Sequence, residues 1–463
     1  MKAKYISILI MSVIAGLVVL CCIFPSGGIN LGFTQLRFPG LIEALEGDST
    51  DFIDPEEQMA RLEQEQQELQ HAKQDSSFLA RINKSETRIW FPGDDPTYFD
   101  AVFAALDNAS KEHMRIIHYG DSQIELDRIS CDLREQLQTK FGGNGKGWVP
   151  VVPIAGNYTI ATYCSPQLRQ GIQYSFSDET KPRSRKGGPF ATTAYLDGGT
   201  VTVTARASEK EKDHYTRVHG YSRVKVVSGN NNGNLTVNCG DVKATVAPNK
   251  SLTVTTLNID SASNARISIS GHAHLYGILL DSPTGVAVDN VPMRGCTGTI
   301  FTLLAKEEVA DFFKQEKVPL IILQFGGNVV PLISEKNLEA VTTQLHNQID
   351  FFKEVAPGSR ILFIGPSDMA TRKGGGGLHT YKNLPMYIDA LKAMCLEAGV
   401  AYWDMYAVMG GNGSMVSWVN NGWAGSDYIH FSTKGAERMA GILGNTLMLY
   451  YDYYTFRQKA AKK

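Results

Sequence analysis

Apolar positions along the chain change their period several times, and each change marks a different element. From Ile6 to Phe24 the chain is apolar, interrupted only by small residues such as Ser7, Ser12 and Gly16. Nineteen such residues at 1.5 Å rise nearly cross a ~30 Å hydrocarbon core, and buried core helices seldom exceed ~14. The flank Leu20-Cys21-Cys22 lacks a small-x-small cleavage pattern, and Leu20 is too large for a lipobox, so an uncleaved transmembrane anchor is expected. Lys2 and Lys4 precede the run and none follows closely, which predicts a single-pass protein of the cytoplasmic membrane facing the periplasm or cell exterior. From Asp48 to Ser77 the chain is acidic and Gln-rich, with Met59, Leu62 and Leu69 at helical spacing. That pattern predicts a stalk with a narrow stripe for self-association, although it is shorter than the three or four heptads of a coiled coil.

Met114 to Tyr119 then reads as a buried strand running into Gly120-Asp121-Ser122, and Leu126 to Phe141 as an amphipathic helix. After Trp148 the period becomes alternating, as in Thr200-Val-Thr-Val-Thr-Ala, Arg223-Val-Lys-Val-Val and Ala265-Arg-Ile-Ser-Ile-Ser. Short strands at this frequency predict a β-sandwich or jelly roll. Pro319-Leu-Ile-Ile-Leu-Gln-Phe and Arg360-Ile-Leu-Phe-Ile-Gly return to continuous apolar runs joined by helical segments, as in buried parallel strands. The expected fold is therefore an α/β parallel-sheet domain over residues 87–160 and 286–455, with an all-β insertion over 161–285. Residues 28–86 form the acidic, partly helical stalk, and residues 1–27 the anchor.

Composition removes several function classes. Lys+Arg is 45 and Asp+Glu is 47, a net charge of −2, so no basic excess draws the whole chain to nucleic acid. Seven cysteines without a Cys-x-x-Cys spacing do not make a zinc centre, and five of them (Cys131, Cys164, Cys239, Cys296 and Cys395) lie beyond the anchor, an odd number that leaves one unpaired or paired between chains.

Ser122 stands between a strand and a predicted helix start, where a hydroxyl can be held above a sheet; a helix N-cap serine has the same local signature. In Asp427-Tyr-Ile-His430 the carboxylate can accept the imidazole Nδ1 proton and leave Nε2 free as a base, though an Asp capping a turn is the commoner meaning of the spacing. Gly295 can offer an unobstructed backbone N–H, and Asn328 a side-chain amide, to a developing oxyanion. Each alone is an ordinary turn.

Taken in order, Gly120-Asp121-Ser122, Gly295, Asn328 and Asp427-x-x-His430 resemble the block pattern of the SGNH (GDSL-type) hydrolase superfamily. The resemblance implies a flavodoxin-like three-layer domain and assigns roles by position. Ser122 becomes the nucleophile and its N–H an oxyanion donor with Gly295 and Asn328, while Asp427 and His430 supply the charge and the base. Gln123 departs from the usual Leu of the first block. The long β insertion, Gly365-Pro-Ser-Asp and Tyr402-Trp-Asp-Met-Tyr resemble the peptidoglycan O-acetylesterase branch, in which the insertion is similar to a carbohydrate-binding module. The resemblance implies a membrane-anchored serine esterase that deacetylates a cell-wall or other extracytoplasmic glycan, with no cofactor and no metal. An O-acetyltransferase using the same residues, and a glycan-binding scaffold with a vestigial site, remain the alternatives.

Four further features invite a functional reading. Gly142-Gly-Asn-Gly-Lys-Gly misses the phosphate-loop spacing and reads as a turn. His272 and His274 share a strand face without an evident third metal ligand. The Gly374 to Gly377 run before His379 is expected as a loop at the rim of the site. Tyr402, Trp403, Trp418 and Trp423 are candidates for sugar stacking or for packing.

Overall fold

The computed structural model describes residues 3–24, 29–30, 35–36, 54–71, 77–175, 177–183, 187–372 and 377–462. The chain divides into two units, residues 1–52 and 53–463. In the first, a helix spans Ala3–Ile23, and Ile29–Asn30 pairs antiparallel with Gln35–Leu36. Among the described residues no helix is long and apolar enough to cross a membrane. The helix Ala3–Ile23 covers most of the run expected as an anchor, and within it the described side chains are those of residues 10–20, all exposed.

The second unit is built on a six-stranded sheet in the order Gly285–Pro292, His113–Gly120, Leu320–Gln324, Arg360–Ile364, Ala401–Trp403 and Ile89–Trp90. All neighbours are parallel except the Ile89–Trp90 edge. Alternation along each strand divides the core in two. Met114, Ile116, Ile322 and Leu362 face a layer with the helices Ser130–Phe141 and Thr433–Ala461. Ile117, Tyr119, Ile321 and Phe363 face the helices Lys306–Gln315, Leu338–Val355 and Leu384–Glu397. A sheet buried on both faces explains the unbroken apolar runs.

Three boundaries differ from expectation. Ser122 lies in a single 3-10 turn, Ser122–Ile124, and the helix expected from Leu126 begins at Ser130, because Leu126, Asp127 and Ile129 adopt φ of 66°, 75° and 63°. The insertion begins at Gly147–Val149 rather than 161, since that strand pairs with Ile278–Leu280 in a nine-stranded antiparallel sheet. This sheet is organised by the long strand Asn264–Asp281 and encloses its own apolar core. The last helix continues to Ala461.

The stalk expectation also changes. Pro55–His71 is helical, but Met59, Leu62 and Leu69 are buried within this unit, and Gln66 Nε2 donates to Ile442 O and Thr446 Oγ1 at 3.0 Å each. The stripe expected to support self-association is consumed by the chain's own C-terminal helix. Of residues 28–53 and 72–76, only 29–30 and 35–36 are among those described.

The two parts of this unit are joined by buried charge. Arg115 at the start of its strand bonds Asp289 at 2.6 Å and Glu316 at 3.3 Å, and reaches Asp281 of the inserted sheet. Arg223 holds Asp281 at 2.6 Å and Lys225 holds Glu316 at 2.5 Å. Burial opposes ionisation of Asp281, yet these cations outweigh it and bring its pKa down to about 2. His113, Asp281 and Glu316 are close enough to suggest metal ligands, but the carboxylates are already neutralised by Arg115, Arg223 and Lys225.

Candidate active site

Three strand ends bring the chemistry together. Gly120 pairs with Pro292 on one side and Gln324 on the other, so residues 121–122, 293–296 and 325–328 leave the sheet side by side. Met293 N–H donates to Gly120 O at 2.7 Å and Asp121 N–H to Gln324 O at 3.2 Å. A side chain at Gly120 would meet Ile124 Cδ1 at 2.9 Å and Gln324 O at 3.1 Å, which accounts for glycine there. The carboxyl ends of adjacent parallel strands are the usual place for a site in such a fold.

Above these ends lies the loop containing Asp427 and His430. Ser122 Oγ is 2.7 Å from His430 Nε2, and His430 Nδ1 is 2.7 Å from Asp427 Oδ2. An ionised carboxylate only accepts, so Nδ1 carries the proton and the Nε2 lone pair faces the serine hydroxyl. The other oxygen of Asp427 accepts Ile429 N–H at 3.0 Å and His430 N–H at 3.1 Å. Partial burial opposes ionisation of Asp427, but the His430 side-chain bond and these amides outweigh it and hold its pKa below the ordinary carboxylate value. The Asp427 side chain is 49% exposed and that of His430 27%.

The serine borders a cavity of ≈ 150 Å³ lined in part by Asn328, Pro331, Met369, Met405 and His430. Asn328 Nδ2 donates to Cys296 O at 3.0 Å and to Asp121 Oδ2 at 3.2 Å, which ties the third block to the other two. Both amide hydrogens are thus engaged, so a substrate oxyanion would have to share or displace one of these acceptors. Gly295, at φ 75°, precedes Cys296 and does not line the cavity. Burial raises the Asp121 carboxyl to about 6, offset in part by the Gln123 amide, the charges of His430 and Arg128, and Asn328.

The sequence pattern marks Gln123 only as a departure from the usual Leu without a part in the chemistry, and it does not mark Arg128 at all. Gln123 spans from the serine turn to the His430 loop. Arg128 donates to Ser122 O at 2.6 Å and to Phe431 O at 2.7 Å. Besides the Gln-for-Leu departure, the local signal was a polar cluster, Gln123, Glu125, Asp127 and Arg128, where an amphipathic helix was expected to begin; all four are buried.

The other candidates resolve differently. Tyr402, Trp403, Trp418 and Trp423 are buried, so they pack rather than offer stacking faces; Trp418 lies 5.0 Å from Phe431 beneath the histidine loop. His272 and His274 contact Asn232 and Asn230 at 3.2 and 3.4 Å, and no metal-ligand group forms around them among the described residues. The glycine run 142–147 packs as a turn against the backbone of Leu280, Gly285 and Val286. Residues 373–376, most of the expected rim loop, lie outside the described residues. Cys131, Cys164, Cys239, Cys296 and Cys395 are free thiols.

Residues 269–438 match the GDSL-like lipase/acylhydrolase family, a segment that holds Gly295, Asn328, Asp427 and His430 but not Ser122. In fold the chain is similar to a solved peptidoglycan O-acetylesterase, with a TM-score of 0.62 and 20% identity over 79% of this chain and 99% of that one. A family two carbohydrate esterase from Cellvibrio japonicus is more distant, at a TM-score of 0.25 and 11% identity over 64% of this chain and 99% of that one. No curated relative matches this chain in sequence.

Proposed function

We propose that the chain is an esterase of the SGNH (GDSL-type) hydrolase superfamily, whose GDSL-like family pattern residues 269–438 match, and that it removes acetyl groups from an extracytoplasmic glycan, peptidoglycan first, with Ser122 as nucleophile. The observation that carries this reading is the continuous relay from Ser122 Oγ through His430 to Asp427, each contact at 2.7 Å. His430 Nε2 takes the hydroxyl proton as Oγ attacks the ester carbon, and returns it to the departing sugar oxygen. The acetyl-serine is then attacked by water, whose proton passes to the same nitrogen; the acyl carbon–Oγ bond breaks as His430 returns that proton to Ser122 Oγ, and acetate leaves. Asp427 fixes the ring and stabilises the imidazolium that forms twice in the cycle. Asn328, Gly295 and the Ser122 amide are assigned to the oxyanion.

A cavity of ≈ 150 Å³ bounded by Pro331, Met369 and Met405 favours a short acyl group over a lipid chain. The glycan and its identity as peptidoglycan are supported by the shared fold with the O-acetylesterase. A second cavity of ≈ 440 Å³, between Trp148, Ile160 and Tyr163 of the inserted part and Pro292 beside the Gly295 turn, gives room for the polymer. The apolar run Ile6 to Phe24 behind Lys2 and Lys4 supports a membrane anchor with the catalytic unit outside the cytoplasm. The test compares acetate release from O-acetylated peptidoglycan, acetylated xylan and a long-chain lipid ester. Fastest release from peptidoglycan is expected; a preference for the lipid ester would refute the substrate class, and acetylated acceptor sugar as main product would make the protein a transferase.

A further inference from the structure

We propose that Gln123, the residue after the nucleophile, is a positioning residue that sets His430 in line with Ser122. Its side chain lies across the gap between two segments some 300 residues apart in sequence. Nε2 donates to Ile429 O at 2.6 Å and to Ser367 Oγ at 3.1 Å, while Oε1 accepts Phe431 N–H at 3.2 Å. The residues on either side of His430 are therefore both held by one buried amide, whose two hydrogens and oxygen are all engaged. The amide itself starts from a fixed point, since Asp121 Oδ1 accepts Gln123 N–H at 3.0 Å and closes the serine turn. Ser122 and His430 are thus referenced to the same side chain.

The loop needs such a support. Tyr428 holds a φ of 57°, which a non-glycine residue keeps only where its surroundings enforce it. The histidine and Asp427 side chains are partly open to solvent, so packing alone does not orient the ring. Arg128 holds Phe431 O, a different atom on one side of the histidine, and leaves the Ile429 carbonyl and Phe431 amide to Gln123. Leucine, usual at this position in the family that the first block resembles, would fill the volume and leave both groups without their partner.

This inference rests on the serine-esterase reading, and the experiment separates the two. Wild type, Ser122→Ala, Gln123→Leu and Gln123→Glu are assayed with p-nitrophenyl acetate across pH, with a melting temperature for each. Gln123→Leu is expected to lose kcat by about 10²-fold at nearly unchanged KM, the scale on which small misplacement of a reacting group acts. In Gln123→Glu only the protonated carboxyl can both donate to Ile429 O and accept from Phe431 N–H, so its kcat relative to wild type should rise as pH falls. Silence of the wild type, or full activity of Ser122→Ala, would sink the esterase reading. An active wild type with dead Ser122→Ala, beside a folded Gln123→Leu of wild-type kcat, would overturn the role of Gln123 alone. Should Gln123→Leu fail to fold, a Gln123→Glu ratio that is flat or falls toward acid overturns it instead.

Discussion

One strand, His113–Gly120, serves two polar regions that are built on opposite terms. At its start Arg115 is fully enclosed among Asp281, Asp289 and Glu316, and the charges leave no room for rearrangement. At its end Ser122 meets a histidine and a carboxylate that remain partly open, linked by single hydrogen bonds. The first arrangement joins two parts of the fold; removing a partner strands buried charge, whereas the intact cluster adds little net stability. The second, on the proposed mechanism, passes one proton back and forth between Ser122 and His430. Substitutions at the two ends should therefore separate rate from stability.

The largest expected effect is on rate alone. Ser122→Ala should lower kcat on p-nitrophenyl acetate on the order of 10⁵- to 10⁶-fold, with the melting temperature unchanged, since a small hydroxyl is lost and nothing replaces the nucleophile. Asp427→Asn should cost less, on the order of 10³- to 10⁴-fold, because the histidine still moves the proton but loses its tautomer control. The opposite end should invert the pattern. Arg115→Met is expected to destabilise by about 3–5 kcal/mol in denaturant titration, while the folded fraction keeps wild-type kcat. A rate loss in Arg115→Met at unchanged stability would dissolve the distinction between the two regions.

The smallest effect is in pH. Asp121, at about 6 in the folded protein against 3.8 ordinarily, binds a proton that the unfolded chain still lacks between those values. Its contribution to stability grows as pH falls from about 6 to about 4. Asp281, at about 2, contributes fully above about 4 and loses that contribution between about 4 and about 2. Asp368, also raised to about 6 by burial, adds to the Asp121 trend, and buried His118, lowered to about 4, opposes it. The clean measurement is a difference: the melting temperature of wild type minus that of Asp121→Asn should increase as pH falls from about 6 to about 4. A constant difference would show that the Asp121 carboxyl titrates normally.

What could be read from residues alone follows the range of the interactions. The α/β core was legible because strands buried on both faces must be apolar throughout, as in Leu320–Gln324 and Arg360–Ile364. Ser122, Asp427 and His430 were legible as candidates because each sits in a short motif where the local arrangement, such as Asp427 reaching its own loop amides, is written in neighbouring residues. The contacts of Gln123, noted only as a departure from Leu, and of Arg128 were not, since their partners include Ile429 and Phe431, some 300 positions away. Met59, Leu62 and Leu69 were legible as a stripe but not as to what covers it; the same spacing suits a second chain or the chain's own helix Thr433–Ala461. The start of the helix at Ser130 was hidden by left-handed conformations at Leu126, Asp127 and Ile129, which no residue preference foretells for leucine or isoleucine.

The central claim is that Ser122, activated by His430, is the nucleophile of an acyl-transfer site. Reaction with a fluorophosphonate, followed by peptide mass mapping, tests it most directly, because the probe needs an activated serine and no knowledge of the sugar. A single adduct on Ser122 in the wild type, absent from Ser122→Ala and strongly reduced in His430→Ala, is the predicted result. An adduct on another serine, or one that persists in Ser122→Ala, would contradict it.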